Sequence, residues 1–527
     1  MKQKITFRLY QLSQRVSCII AFIACVTLHA NAAVFAGSGT EEDPFLITDA
    51  DELYMVRSYT GRSYFFRLEN DIDLTEFISE NFPENGWSPI GSSSSPFCGT
   101  FDGNGKTISG LTINNSTGNG LGLFGYFRGI LKNLTVKGAV VGNDNIGGIV
   151  GLAELYSSTE ATSILDCRFE GSVSGHSGVG GIVGRMNDQN HTRYLNIRRC
   201  GVKGTVVGSN YYIGGVVGSC SGHEIQECWM SGEIKGSMYC GGICGYAHGR
   251  LLNCYAKCNI GKINDLSSLW AGGIVGWLEG HYYNGNFPAI IKCQYVGDII
   301  GDGQIGGIAY RADATTINNN IVRGTLVSTS GSSSRVGGVV VDMHRAILNN
   351  SYRYNSINGN IVACTTINVE TTASTTTNSA ARITNSIEGH TIGAEGSTSE
   401  NLALSTMDIT LNGTAVATTD YARHGTGATM SFLKKKLCYT AKNWDFDTTW
   451  AIDADLNDGF PYLQSMESVI RELEADDEGG ETTAISNATT TASSKKTSGI
   501  YTLDGRKISE PTQKGIYIHD GRKVVLK

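Results

Sequence analysis

The hexapeptides IGGIVG (Ile146 to Gly151), VGGIVG (Val179 to Gly184), IGGVVG (Ile213 to Gly218), CGGICG (Cys240 to Gly245), AGGIVG (Ala271 to Gly276), IGGIAY (Ile305 to Tyr310) and VGGVVV (Val336 to Val341) recur through the middle of this chain. Successive starts are 33, 34, 27, 31, 34 and 31 residues apart. A period of that size marks stacked supersecondary units, none of which buries its apolar face alone.

A second pattern follows each hexad after a variable loop: ILDCRFEGSV, IRRCGVKGTV, IQECWMSGEI, LLNCYAKCNI and IIKCQYVGDI. Taken with the flanking segments, one slot reads Asn133, Cys167, Cys200, Cys228, Cys254, Cys293, Asn320 and Asn350. In a parallel stack, equivalent slots of successive coils lie one above another at about 4.8 Å, so small residues there form a ladder. Each unit reads as three short strands: the one entering the ladder, the Gly-x-Val/Ile segment after it, and the hexad. The fold expected is all-β, a right-handed parallel β-helix of about eight three-strand coils with N- and C-terminal caps and a small β-hairpin tail. Five cysteines in a row cannot all pair, so the ladder reads as buried thiols with no metal role. Cys240 and Cys244 fill places held elsewhere by Ile and Val, which argues against zinc there.

Composition agrees. Gly is 67 of 527 residues and Pro only 7, which suits many tight corners between hydrogen-bonded strands. Charged residues are 17% and the net charge is -7, so no basic field exists for nucleic acid. The N-terminus has basic residues (Lys2, Lys4, Arg8, Arg15), an apolar run from Val16 to Leu28 and the small-residue site Ala30-Asn31-Ala32. It reads as a signal peptide cleaved between Ala32 and Ala33. No later segment is long and apolar enough for a membrane span.

The hexads and the Cys/Asn slot resemble GLUG repeats of secreted bacterial surface proteins, over roughly residues 100 to 355. Flanking stretches fit the same resemblance, among them WSPIG (Trp87 to Gly91), FCGTFDGNGKTISGLTI (Phe97 to Ile113) and NWDFDTTWAI (Asn443 to Ile452). Expected boundaries are a signal peptide at 1–32, an N-terminal cap and first coil at 33–115, the repeat β-helix at 116–355, and degraded coils with a C-terminal cap at 356–463. The front cap carries a helix at Asp49 to Ser58, and the rear cap is built on Trp444, Phe446, Trp450, Phe460 and Leu463. An acidic, then Ser/Thr-rich linker at 464–498 precedes a tail at 499–527. In the tail, GIYTLDGRKI (Gly499 to Ile508) is echoed by GIYIHDGRKV (Gly515 to Val524), each a strand, an Asp-Gly turn and a basic strand. This tail resembles C-terminal sorting domains of the type IX secretion system of the Bacteroidetes. That resemblance implies secretion machinery as a partner and a destination at the cell surface or outside the cell.

For chemistry, glycoside hydrolysis needs two convergent carboxylates, whereas Asp144, Asp166, Asp188, Asp298 and Asp302 fall at different offsets within their repeats. No catalytic residue, cofactor or metal is assigned. Aromatic residues cluster between 210 and 283: Tyr211, Tyr212, Tyr239, Tyr246, Trp270, Trp277, Tyr282 and Tyr283. Exposed rings stack on sugars or anchor protein partners. The expectation is an adhesin-like, non-enzymatic protein binding glycan or a surface protein. A polysaccharide-degrading enzyme and a passive surface scaffold are the alternatives.

Overall fold

The hexad does not form one strand but bends, and it supplies two strands to each coil. Tyr211–Gly214 lies in one sheet and Val217–Ser221 in another, with the bend at Gly215 and Val216. The computed structural model describes residues 35–155, 162–188, 196–221, 224–263, 268–280, 287–348, 351–372, 379–385, 398–478, 500–502, 507–508, 515–519 and 522–526. The signal peptide with Ala32 and Ala33, Asn350, Tyr282, Tyr283 and residues 479–498 lie outside these. Two units are distinguished, Met1–Leu473 and Glu474–Lys527.

In the first unit, each complete coil passes through four parallel sheets, here called I to IV in chain order. One coil runs Asn196–Arg198 (I), Gly201–Gly208 (II), Tyr211–Gly214 (III) and Val217–Ser221 (IV). Sheet I holds twelve strands among the described residues, from Phe45–Ile47 to Thr398–Ser399, in unbroken sequence order. Sheets III and IV hold eight strands each among the described residues, matching the eight coils expected, and sheet I runs on into both caps, about 53 Å at the strand spacing. Aliphatic side chains at fixed slots fill the interior: Ile164, Ile197, Ile225, Leu251, Ile290 and Ile317 from sheet I, and Val173, Val206, Ile234 and Ile260 from sheet II. Each such burial contributes about 1.5–3 kcal/mol.

The glycines of the hexad answer to this packing. A Cβ on Gly242 would lie 2.1 Å from the Gly273 carbonyl oxygen of the next coil and 2.8 Å from Ala256 Cβ on sheet II. A Cβ on Gly245 would lie 2.5 Å from the Ile213 nitrogen, where sheet IV runs close against sheet III of the preceding coil.

The corner between sheets I and II uses two residues. The first is left-handed: Asn133, Asp166, Arg199, Glu227, Asn253, Lys292 and Asn319 have φ between 52° and 58°. The second occupies the ladder. Asn133 is thus displaced from its expected slot: backbone bonds from Arg168 N to Leu134 O and from Gly201 N to Cys167 O put Leu134 below Cys167. The ladder reads Leu134, Cys167, Cys200, Cys228, Cys254, Cys293, Asn320, Asn360 and Asn401. The place expected for Asn350 belongs to Asn360, because a hairpin (Ala346–Leu348 with Ser351–Arg353) is inserted ahead of the rung. The cysteines are unpaired thiols, and Sγ of Cys200, Cys228, Cys254 and Cys293 donates to carbonyl oxygens of the coil below at 3.4 to 3.7 Å. At the asparagines the bonds shorten. Asn360 Oδ1 accepts from Asn320 N (3.1 Å) and Nδ2 (2.9 Å), and Asn401 Oδ1 accepts from Asn360 N and Nδ2, both at 3.0 Å.

At the front, the strands Phe45–Ile47 and Phe65–Leu68 are already rungs of sheet I, so cap and coils are continuous. The expected helix spans Ala50–Met55, with a 3-10 turn at Val56–Tyr59 and Asp49 accepting from Glu52 N at 2.9 Å. Rungs of sheets I and II also continue through Ser356–Asn358, Ile361–Thr371, Thr398–Ser399, Leu402–Leu404 and Thr426–Ala428, and Thr384 bridges Val340 as a faded rung of sheet IV. The rear-cap residues instead run back along the outside of sheet II. Lys292 Nζ meets Thr449 Oγ1, Asn457 Nδ2 meets Gln294 Oε1, and Arg323 Nη1 meets Asn457 O (3.1 Å) and Asp458 Oδ2 (2.7 Å). Further back, Arg168 Nη1 binds Glu472 Oε2 at 3.1 Å. The acidic stretch assigned to the linker is helical up to 478 (Glu467–Glu478), because Ile470 and Leu473 on one face are buried.

The second unit is a four-stranded antiparallel sheet, ordered Lys507–Ile508, Ile500–Thr502, Gly515–His519, Arg522–Leu526. Both hairpins expected from the repeated GIY…DGRK segments are present in it. No helix of the described residues is long and apolar enough to cross a membrane.

Candidate functional site

The residues on either side of the hexad point away from the interior, so each coil contributes side chains to rows that run along the stack. Before the hexad, Tyr212 lies opposite Tyr239 in sheet III. Tyr239 is an inserted residue relative to the next coil, where Met238 pairs with Trp270 and Cys240 with Ala271. After the hexad, sheet IV carries Ser219, Tyr246, Trp277, Arg311 and Asp342 in register. Two residues further along come His248, Glu279, Asp313 and His344, each one step past the paired Ala247, Leu278, Ala312 and Met343.

Tyr239 is the hub of the resulting aromatic strip. Its ring centroid lies 5.9 Å from Tyr211, 5.6 Å from Tyr212, 5.8 Å from Trp270, 5.3 Å from Trp277 and 5.9 Å from Tyr310. Tyr246 joins through Tyr212 at 4.9 Å and Trp277 at 5.1 Å. Tyr212 and Tyr239 are nearly parallel, 20° apart. The rings are half-buried except Tyr211, which is exposed, and Tyr310, which lies beneath them. Tyr212 and Tyr239 also hold φ of 64° and 58°, a region that costs a bulky side chain about 1–2 kcal/mol. The equivalent corner residues of the two preceding coils, Asn145 and Gly178, hold the same left-handed backbone, so the coil enforces it.

Polar groups flank the rings. Glu279 accepts from Tyr246 Oη and lies 2.7 Å from His248 Nε2. Asp313 Oδ2 accepts from Trp277 Nε1 at 3.0 Å, and its Oδ1 accepts from Arg311 Nε at 2.9 Å. The Arg311 guanidinium sits 4.6 Å from the Trp277 ring centroid. His344 Nε2 lies 2.9 Å from Asp342 Oδ2. Burial, with the nearby Glu279 carboxylate, pushes the Tyr212 hydroxyl up. Burial and Tyr212 do the same for Tyr239, and burial and Asp342 for Tyr310. These hydroxyls are therefore neutral donors at ordinary pH.

Of the eight aromatics named from sequence, six come together: Tyr211, Tyr212, Tyr239, Tyr246, Trp270 and Trp277. Tyr282 and Tyr283 lie outside the described residues. Sequence reading missed Tyr310, although the signal was present, since Tyr310 replaces the final glycine of its hexad. It also missed the row His248, Glu279, Asp313 and His344, which stands three residues past each hexad end. Of the aspartates weighed from sequence, Asp166 is paired with Arg199 and Asp302 with Lys262, both away from the strip. Cys240 and Cys244 are interior, in register with Ile213 and Val217. Among the described residues no group of three or more His, Cys, Asp or Glu is placed to hold a metal ion.

No family model matches the chain. A provisionally named Gly-rich membrane protein of Evansella cellulosilytica is 40% identical over 141 residues, covering 25% of this chain and 16% of that protein. Halomucin of Haloquadratum walsbyi is 32% identical over 162 residues, covering 24% of this chain and 2% of that protein. The chain thus spans less than a fifth of the length of these relatives. Among solved structures, a Bacteroides ovatus protein with the provisional name immunoglobulin A1 protease is 19% identical, covering 82% of this chain and 96% of that one. Its TM-score of 0.34 carries no inference about activity.

Proposed function

We propose that this chain is an exported β-helix protein that binds a glycan on the aromatic strip in an adhesin-like role, without turning it over. The observation that carries the reading is the strip itself: six connected rings on one outer face, packed over the buried Tyr310, two of them on left-handed backbone. The left-handed corner itself belongs to the coil, since Asn145 and Gly178 hold it in the preceding coils, but Tyr212 and Tyr239 place large, outward-facing rings where a small residue suffices. Export and a surface destination are supported by the basic, apolar and small-residue order of the first 33 residues and by the repeated GIY…DGRK tail.

The test is a glycan and host-matrix binding array probed with residues 33–527, beside a polysaccharide depolymerisation assay. Binding to glycan without turnover is expected. Turnover would overturn the non-enzymatic part, and silence in both assays would favour a passive scaffold. The enzyme reading has one specific support. Glu279 and Asp313 hold equivalent places on adjacent coils, and a carboxylate pair beside a sugar platform is what glycoside hydrolysis requires. Both carboxylates, however, are tied to Tyr246, His248, Trp277 and Arg311.

A further inference from the structure

The strip is long in one direction only. It spans five coils, from Tyr211 and Tyr212 through Tyr239 and Tyr246, Trp270 and Trp277, Tyr310 and Arg311, to Asp342, four steps or about 19 Å along the axis. Each step offers a ring face, a polar side chain or both. Tyr212 and Tyr239 are stacked on one another with an offset, which extends the apolar surface from one coil to the next. A branched or globular ligand would engage a fraction of the strip, whereas an extended chain fits its length.

The charges beside the rings restrict the chain further. Two partly exposed carboxylates, Glu279 and Asp342, border the strip on sheet IV and are acceptors for sugar hydroxyls, with the buried Asp313 between them; Arg185, in register with Ser219, stands one coil beyond Tyr212 at the end of the row. Arg311, the cation stacked on Trp277, is already held by Asp313, while His248 and His344 are turned to Glu279 and Asp342. An anionic chain would therefore meet carboxylates whose nearest cations are engaged, and like charges brought together during binding are strongly unfavourable.

We propose that the strip takes a neutral, linear polysaccharide laid parallel to the β-helix axis, and that Glu279 and Asp342 discriminate against chains carrying uronate or sulfate groups. This rests on the glycan reading above. The exposed apolar surface of the rings takes the C–H faces of sugar rings, and the tyrosine hydroxyls with Glu279 and Asp342 take their hydroxyls.

The test is isothermal titration of residues 33–527 with neutral α- and β-linked glucans and mannans, their oligosaccharides of increasing length, polygalacturonate, and dextran against dextran sulfate. A neutral chain is expected to bind, tightening with each added ring until the strip is filled. Polygalacturonate and dextran sulfate should bind at least about tenfold more weakly at low salt, with the gap narrowing as salt rises. Tyr239→Ala should weaken neutral binding by about tenfold or more. The conservative Glu279→Gln, which removes the charge, should strengthen polygalacturonate binding and so narrow the gap, and matching thermal unfolding of the variants excludes a folding defect. Preference for polygalacturonate or dextran sulfate, or affinity independent of oligosaccharide length, would overturn this proposal and leave the glycan reading standing. Binding to a protein ligand with no glycan bound would overturn both.

Discussion

Gly242 and Tyr239 sit three residues apart and represent the two demands placed on each coil. Gly242 admits no side chain, so Gly242→Ala should destabilise the first unit by about 1–3 kcal/mol. Gly261→Ala, where the nearest atom to an added Cβ is 4.0 Å away, should change stability by less than about 0.5 kcal/mol. Urea unfolding of the two variants checks the pair. The buried thiols make a separate prediction. Burial pushes Cys240 and Cys258 from 9.0 up to about 12, so between these values the folded chain keeps protons that the unfolded chain has lost. Their contribution is complete below pH 9 and is lost as pH rises towards 12. The unfolding midpoint should fall across that window, and the thiols should resist alkylation until the chain unfolds.

Among the elements, the asparagine end of the ladder is the most exposed to a single change. Asn360 accepts twice from Asn320 and donates to Ile317 O and to Asn401. Asn360→Ala would strand these buried groups and should cost about 2–4 kcal/mol, more than Cys254→Ala at a thiol rung, as read by thermal unfolding. The ladder also shows how far the sequence could be read. The cysteine rungs were legible because the same residue type recurs in the same setting. Asn133 was misassigned because two adjacent corner positions both favour asparagine, one for left-handed backbone and one for the ladder bonds. Asn360 was hidden by the inserted hairpin at 346–353. The hexad was legible as a strand, but its bend was not, since the reason for the second glycine lies on sheet II, where Ala256 faces Gly242. The aromatic cluster could be read as a composition feature. The Tyr246–His248–Glu279 and Trp277–Arg311–Asp313 groupings could not, because their members come from different coils and meet only once the register is set.

At the scale of the whole first unit, the stack and the returning C-terminal segment depend on one another. Trp229, Tyr255 and Ile321 lie on sheet II and are buried, and Leu433, Trp444, Trp450 and Leu473 belong to the same apolar core. Arg323 fixes that segment through Asn457 and Asp458, with its guanidinium 4.8 Å from the Phe460 ring centroid. Arg323→Ala should cost about 2–3 kcal/mol and speed proteolytic cleavage within residues 430–478 while the coils stay resistant, which limited proteolysis would read. The central claim is that recognition resides in the outward aromatic strip while the hexads serve as scaffold. The measurement that tests it most directly compares residues 33–527 with their Tyr212→Ala/Tyr239→Ala variant on one glycan array, at matched thermal stability. The account predicts that the variant loses the glycan binding of the parent, and undiminished binding by the variant would contradict it.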